Sequence, residues 1–217
     1  MKSKTVNDLG TSTKFNKAIE LYEKSLEIAK DIGDKVGESK CYGNLGGAYD
    51  GLGNLNKAIE YHEKSLEIAK GIGDIMGEAI SYVNLGGAYD DLGNFNKAIE
   101  YHEKSLEIKK DIGDRSGAAK CYVGLGNVYL HLGDFNRAIR YNKESLKITK
   151  DIGNRLDESA GYINLGAAYA NLGEEYSNLE YINKSLEYYN KSLKIKKDIG
   201  DKTGESKCYT GLASPLT

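Results

Sequence analysis

Histidines, cysteines, glycines and asparagines all recur in this sequence at spacings that could support chemistry. His62 and His102 stand 40 residues apart within the same phrase, Glu-Tyr-His-Glu-Lys-Ser, where an imidazole could ligate a metal or move a proton. Either task needs convergent partners. The residues repeating beside His62 are Glu60, Glu63, Lys64 and Glu67, which are spaced to pair along one charged helix face. No carboxylate dyad stands out, so both histidines are read as packing residues. Cys41, Cys121 and Cys208 lie 80 and 87 residues apart, odd in number and without the close pairs that zinc sites use. They read as reduced thiols that pack as small hydrophobes. Gly124-x-Gly126 falls inside a helical pattern with no strand before it, and no phosphate-loop sequence occurs. Asn183-Lys184-Ser185 and Asn190-Lys191-Ser192 match a glycosylation acceptor, but without a secretory signal they read as helix surface. Neither catalysis, a metal nor a cofactor is expected.

Composition narrows the partners. With 30 basic against 32 acidic side chains the formal net charge is -2, which offers no global attraction to a phosphate backbone, so nucleic acid is not expected. No stretch approaches the roughly 20 consecutive apolar residues of a membrane span, and residues 1–13 hold no apolar signal core. The expectation is a soluble, cytoplasmic protein with no membrane partner. An apolar content of 40% over 217 residues can build a continuous core.

The elements that hold these residues repeat. Ala18, Ala58, Ala98 and Ala138 recur every 40 residues inside Asn-Lys/Arg-Ala-Ile, as do Gly33, Gly73, Gly113 and Gly153. A second phrase, Tyr-x-Asn/Gly-Leu-Gly-x-x-Tyr-x-x-Leu-Gly, starts at Tyr42, Tyr82, Tyr122 and Tyr162. Such self-similarity marks stacked supersecondary units, each covering the apolar face of its neighbour. Tyr42, Leu45, Tyr49 and Leu52 follow spacings of three and four, as do Ile59, His62 and Leu66, so each unit holds two amphipathic helices. Gly53 then Asn54, and Gly33 then Asp34, supply a left-handed stop and a cap for the next start. A first helix is expected near 35–52 and a second near 55–72. The predicted division is a partial repeat 1–34, repeats 35–74, 75–114, 115–154 and 155–200, and a partial repeat 201–217, about ten helices in all. The partial first repeat is read as a short helix before Gly10 and another from Phe15. The chain starts and stops inside the pattern, which suggests a fragment of a longer array. Gly46, Gly86 and Gly126 fall inside helices, where Gly costs roughly 1 kcal/mol against Ala, so their recurrence implies close helix approach.

The order Tyr42-x2-Leu45-Gly46-x2-Tyr49 followed by Ala58-x3-His62 resembles the tetratricopeptide repeat, with Tyr for its usual Trp and His for its usual aromatic. The familiar unit has 34 residues and turns at a Pro, whereas here Lys70 stands at that place and the closing pair is Gly73-Asp74. The Asn-Leu-Gly, Leu-Gly-Asn and Ile-Gly-Asp phrases are most similar to the LGN/Pins cell-polarity adaptors and less closely to kinesin light chain. The resemblance implies an all-α, right-handed α-solenoid of antiparallel helix pairs that binds extended segments of partner proteins. It also implies that first-helix surfaces line the groove. Neighbours on that face at i-4, i+3 and i+7 give the stripe: Lys40, Asn44, Gly47 and Gly51, then Ile80, Asn84, Gly87 and Asp91, then Lys120, Gly124, Asn127 and His131, then Ala160, Asn164, Ala167 and Asn171. Asn44, Asn84 and Asn164 form a ladder whose amides offer both donor and acceptor to an extended backbone. Asp50, Asp90 and Asp91 add negative charge towards the N-terminal half, while Val123, Leu130, Ile163 and Ala170 make the C-terminal half more apolar. The expected ligand has basic residues at one end and apolar anchors at the other. Lys40 and Lys120 alone do not rebuild the basic clamp with which chaperone-binding relatives hold a carboxylate.

Within the last repeat Asn183-Lys-Ser-Leu-Glu-Tyr-Tyr189 is followed at once by Asn190-Lys-Ser-Leu-Lys-Ile-Lys196, a seven-residue duplication. It is expected to lengthen the second helix by about 10.5 Å while the apolar stripe stays nearly aligned. Tyr176, Tyr181, Tyr188 and Tyr189 gather there, as packing or as a surface for a weak homodimer through the C-terminal end. The alternative to a peptide-binding adaptor is therefore an array that assembles with itself, as a dimer or polymer through its ends.

Overall fold

The computed structural model describes residues 2–214, with side chains from Thr11 onward. The described residues form ten helices and no strand: α1 (Lys2–Asp31), α2 (Lys35–Gly51), α3 (Leu55–Ile72), α4 (Ile75–Asp91), α5 (Phe95–Asp111), α6 (Arg115–His131), α7 (Phe135–Asp151), α8 (Arg155–Glu175), α9 (Leu179–Asp198) and α10 (Lys202–Ala213). Two compact units, Met1–Ile108 and Lys109–Thr217, divide the chain, with the boundary inside α5. In the first unit α1 packs on α2, α2 on α3 and α3 on α4; in the second α6 packs on α7, α7 on α8, α8 on α9 and α9 on α10.

Short turns of fixed chemistry set the helix ends. Gly33, Gly53, Gly73, Gly93, Gly113, Gly133, Gly153 and Gly200 all take φ between 71° and 79°, the left-handed region that stops a helix without a Cβ clash. Asp34, Asp74, Asp114 and Asp201 then cap the next helix, each side chain accepting from the backbone N–H three residues on at 2.8–2.9 Å. That third residue is Gly each time, and a Cβ there would collide with the capping carboxylate.

Each hairpin closes on a glycine. The His62 ring lies flat over Gly46 and the His102 ring over Gly86, where an added Cβ would sit 2.7 Å from the imidazole. Asn142 takes that place over Gly126, and Tyr189 over Gly166. Leu45, Leu85, Leu125 and Leu165 are fully buried beside these contacts. On the opposite edge of each hairpin a second-helix tyrosine stacks between two from the first helix, as Tyr61 does with Tyr42 and Tyr49 at centroid distances of 6.0 and 5.3 Å.

Two expectations are corrected. The break ahead of Phe15 is absent, and α1 runs unbroken from Lys2 to Asp31. The places of the Gly53 stop and the Asn54 cap are taken by Thr13, which lacks glycine's access to the left-handed stop, and Lys14, which has no side-chain acceptor to cap with. The seven-residue duplication lengthens both arms of its hairpin: α8 and α9 have 21 and 20 residues where α6 and α7 have 17. Growth of one arm alone would leave its added turns uncovered. Sharing it lets Tyr181 pack on Tyr169 at 6.2 Å and Ile182 close over Gly173 at 2.8 Å from an added Cβ. The turn thereby moves from Gly173, now buried inside α8, to Tyr176-Ser177-Asn178, where Ser177 takes φ 48°.

Candidate functional site

On α2 the buried positions Ser39, Cys41, Leu45 and Ala48 face the neighbouring helices, which turns Lys40, Asn44 and Gly47 outward into solvent. On α4 the same phase buries Ala79, Ser81, Leu85 and Ala88 and leaves Ile80 exposed and Asn84 half-buried. These outward positions meet. Lys40, Asn44, Ile80 and Asn84 line one crevice of about 510 Å³, together with Val36, Gly43, Met76 and Gly77. Its floor is the hydroxyl chain Ser39, Ser65 and Ser81, linked at 3.2 and 3.1 Å. The first two of these serines also bond each other's carbonyls at 3.0 and 2.9 Å, so the floor is satisfied internally.

The walls are different. Asn44 and Asn84 make no hydrogen bond to the described protein, so both amides keep donor and acceptor capacity. Val36, Met76 and Ile80 are 42%, 43% and 50% exposed, a cluster of apolar side chains at the N-terminal ends of the two helices. At the opposite ends sits Asp50, half-buried, with its Oδ1 lacking any partner. Burial first, and the facing charge of Asp91 second, push its carboxyl above the usual value. Asp90 is half-buried and Asp91 exposed beside it.

The second unit carries the remaining residues of the stripe. Lys120 and His131 are exposed on α6, and Asn127 and Asn164 are half-buried on α6 and α8. Asn171 donates its Nδ2–H to the Ala167 carbonyl at 2.9 Å, which spends one donor within its own helix. It lines a separate hollow of about 550 Å³ with Ala167, Ala170, Glu174, Ile182, Tyr189 and Ser214. Of the four clustered tyrosines, Tyr188 stacks on Tyr169, Tyr181 packs on it at a tilt and Tyr189 is buried; Tyr176 is 60% exposed.

Val36 and Met76 are not among the residues that spacing alone singles out. The signal was present, because Val36, Met76 and Leu156 occupy one repeat position that lies off the buried stripe, and all are at least 42% exposed. Exposed apolar side chains clustered in this way mark a surface that can take a ligand.

His62 and His102 pack against the glycines, 3% and 4% exposed, and take no part in the crevice. Burial lowers both to about pH 4, so they are neutral at physiological pH. Among the described residues no group of His, Cys, Asp or Glu could hold a metal ion. None of their helices is long and apolar enough to cross a membrane.

The profile of the tetratricopeptide repeat matches residues 11–71 and 77–151, and a second profile of the same repeat matches 166–199. The chain belongs to the tetratricopeptide repeat family. Its fold is the all-α fold of antiparallel helix pairs found in similar solved structures. BtubC (BKLC) from P. vanneervenii is 20% identical, covers 93% of this chain and 83% of its own, and superposes with a TM-score of 0.78. A signal transduction ATPase with numerous domains from Pyrococcus horikoshii, which carries a tetratricopeptide repeat sensor, is 28% identical with a TM-score of 0.76 over 92% of this chain. A Rap protein solved in complex with competence and sporulation factor is 16% identical with a TM-score of 0.68 over 94% of this chain. The chain spans 29% and 60% of these last two proteins. Among curated proteins none matches it by sequence.

Proposed function

We propose that this tetratricopeptide array is a non-catalytic scaffold that holds an extended segment of a partner protein against its first-helix faces. One observation carries the reading: Asn44 and Asn84, each with a free amide, line the same crevice as Lys40 and the exposed apolar side chains Val36, Met76 and Ile80. An extended segment brings unpaired backbone N–H and C=O groups, which a side-chain amide can satisfy in pairs. An apolar side chain of the segment seats among Val36, Met76 and Ile80. A basic one points towards Asp50 and Asp91, where two helix C-termini add negative potential to the carboxylates. In the second unit Lys120, Asn127, His131, Asn164 and Asn171 form the equivalent surface. The structurally similar Rap protein, solved in complex with competence and sporulation factor, supports a binding role for this kind of fold. Cys41, Cys121 and Cys208 are buried thiols that form no disulfide, which supports work in a reducing compartment such as the cytoplasm.

Selection from a random peptide library, followed by calorimetric affinities, tests the reading. Peptides with an apolar anchor and a basic residue should emerge, and Asn44→Ala with Asn84→Ala should weaken them about tenfold per Asn, the worth of one or two hydrogen bonds. Equal affinity for the double variant would overturn it.

A further inference from the structure

Charge is divided unevenly along the chain. The first compact unit holds 18 acidic and 13 basic side chains, the second 14 acidic and 17 basic. Helix α7 alone carries five basic and two acidic side chains, an excess as large as that of its whole unit. The cause is a reversal on one face. α1, α3 and α5 share Glu at three exposed positions, which on α3 are Glu60, Glu63 and Glu67, and a Lys among them, Lys64, which pairs with Glu60 at 2.6 Å. On α7 all four signs are reversed, to Arg140, Lys143, Lys147 and Glu144. The packed positions between them do not change: Ala138, Ile139, Ser145 and Leu146 are buried and repeat the residues found on α3 and α5. The array therefore keeps its packing here and departs only in the charge it shows to solvent.

Arg140, Lys143, Lys147 and Lys150 follow steps of three, four and three residues, which makes a row about 15 Å long on one side of α7. All four are exposed, and none makes an ion pair among the described residues. Lys147 also lines a hollow of about 410 Å³ together with Lys110. Two carboxylates of that hollow are already used, Asp114 by Lys109 and Asp151 by Arg115, each at 2.9 Å, which leaves Lys110 and Lys147 against Glu144 alone. We propose that this face of α7 docks an acidic helical segment of a partner protein. Carboxylates three, four and three residues apart on a helix repeat the same step of roughly 5–6 Å, so each meets one cation of the row. Other polyanions fit less well. Nucleic acid held by stacking needs open ring faces, whereas Tyr141 already packs on Tyr122 and Tyr129 and has Arg140 4.9 Å over its ring. A helix that lies on a membrane surface sets apolar side chains beside its cations, and from Gly133 to Asp151 no large apolar side chain is exposed. The face belongs to a second helix, so this proposal and the first-helix groove do not depend on each other.

The array supplies its own control. Arg140→Glu, Lys143→Glu, Glu144→Lys and Lys147→Glu together give α7 the charges that α3 already carries, so the variant should fold with unchanged circular dichroism. The probe is a labelled, alanine-rich helical peptide of roughly 20 residues with glutamates three, four and three residues apart, followed by fluorescence anisotropy at low salt. It should bind the unmodified chain saturably, weaken as salt is raised, and lose about tenfold or more in affinity for the variant. No saturable binding, equal affinity for the two chains, or equal binding of a peptide whose same glutamates are spread around the helix would each overturn the proposal. So would duplex DNA or phosphatidylserine vesicles held more tightly than the peptide at matched salt. Should the fourfold variant lose its helices, Lys143→Ala with Lys147→Ala serves in its place.

Discussion

Packing at single residues turns on glycines that accept a planar group from the facing helix. Gly86 leaves 2.7 Å between a built Cβ and the His102 ring, so no side chain enters without parting the hairpin. Gly86→Leu should cost about 3 kcal/mol or more, an overpacking effect, and should unfold the array in a thermal melt. An unchanged Tm would contradict the contact. The imidazoles above these glycines have buried Nδ1 atoms with no partner, and burial holds both near pH 4 against 6.5 when free. The unfolded chain binds the extra protons, so the neutral rings favour folding above pH 6.5 and that contribution is lost as pH falls through about 4. Each is worth about 3 kcal/mol over that window. His62→Asn with His102→Asn, which copies the Asn142 that this chain already uses over Gly126, should flatten stability between pH 6.5 and 4 in denaturant titrations; an unaltered slope would contradict the assignment. Where Ala69 closes one junction, Lys109 and Lys196 close two others. Their buried stems lie on Gly117 and Gly204, and their ammonium groups reach Asp114 and Asp201 at 2.9 Å.

At the scale of the element, the period of 40 and the Leu-Gly-Asn and Ile-Gly-Asp turns made the hairpins legible, because a left-handed glycine and a following cap act locally. First and second helices fall within a residue of the expected bounds, 35–51 and 55–72. The duplication is legible as seven residues, but the sequence pattern wrongly assigns the growth to one helix. Its sharing between α8 and α9 is set by contacts across the hairpin, Tyr169 to Tyr181 and Gly173 to Ile182, which no local pattern reports. The repeat likewise implies a break in α1, but its stop and cap are replaced by Thr13 and Lys14. The shifted turn leaves Ser177 at φ 48°, a conformation that costs an L-residue about 1 kcal/mol. Ser177→Gly should therefore raise the melting midpoint modestly, and a lower midpoint would show that the Ser177 side chain contributes more than its backbone loses.

For the molecule as a whole, the groove stripe was legible only in part. Spacing placed Lys40, Asn44, Ile80 and Asn84 on one face, and the structure brings them into one crevice. Val36 and Met76 escaped because a position off the buried stripe is invisible to a search for periodicity. Stability in stacked repeats is shared between neighbours, so the outward positions are free to differ from repeat to repeat while the glycines, leucines and caps stay fixed. That separation lets one fold carry a specific surface. The most direct test follows the side-chain amides of the isotope-labelled protein while a library-selected peptide is titrated in. The account predicts saturable shifts at Asn44 and Asn84, with Asn56 and Asn96 on the exposed second-helix surface unmoved. Shifts confined to Asn56 and Asn96, or none at Asn44 and Asn84 while the peptide binds, would contradict it.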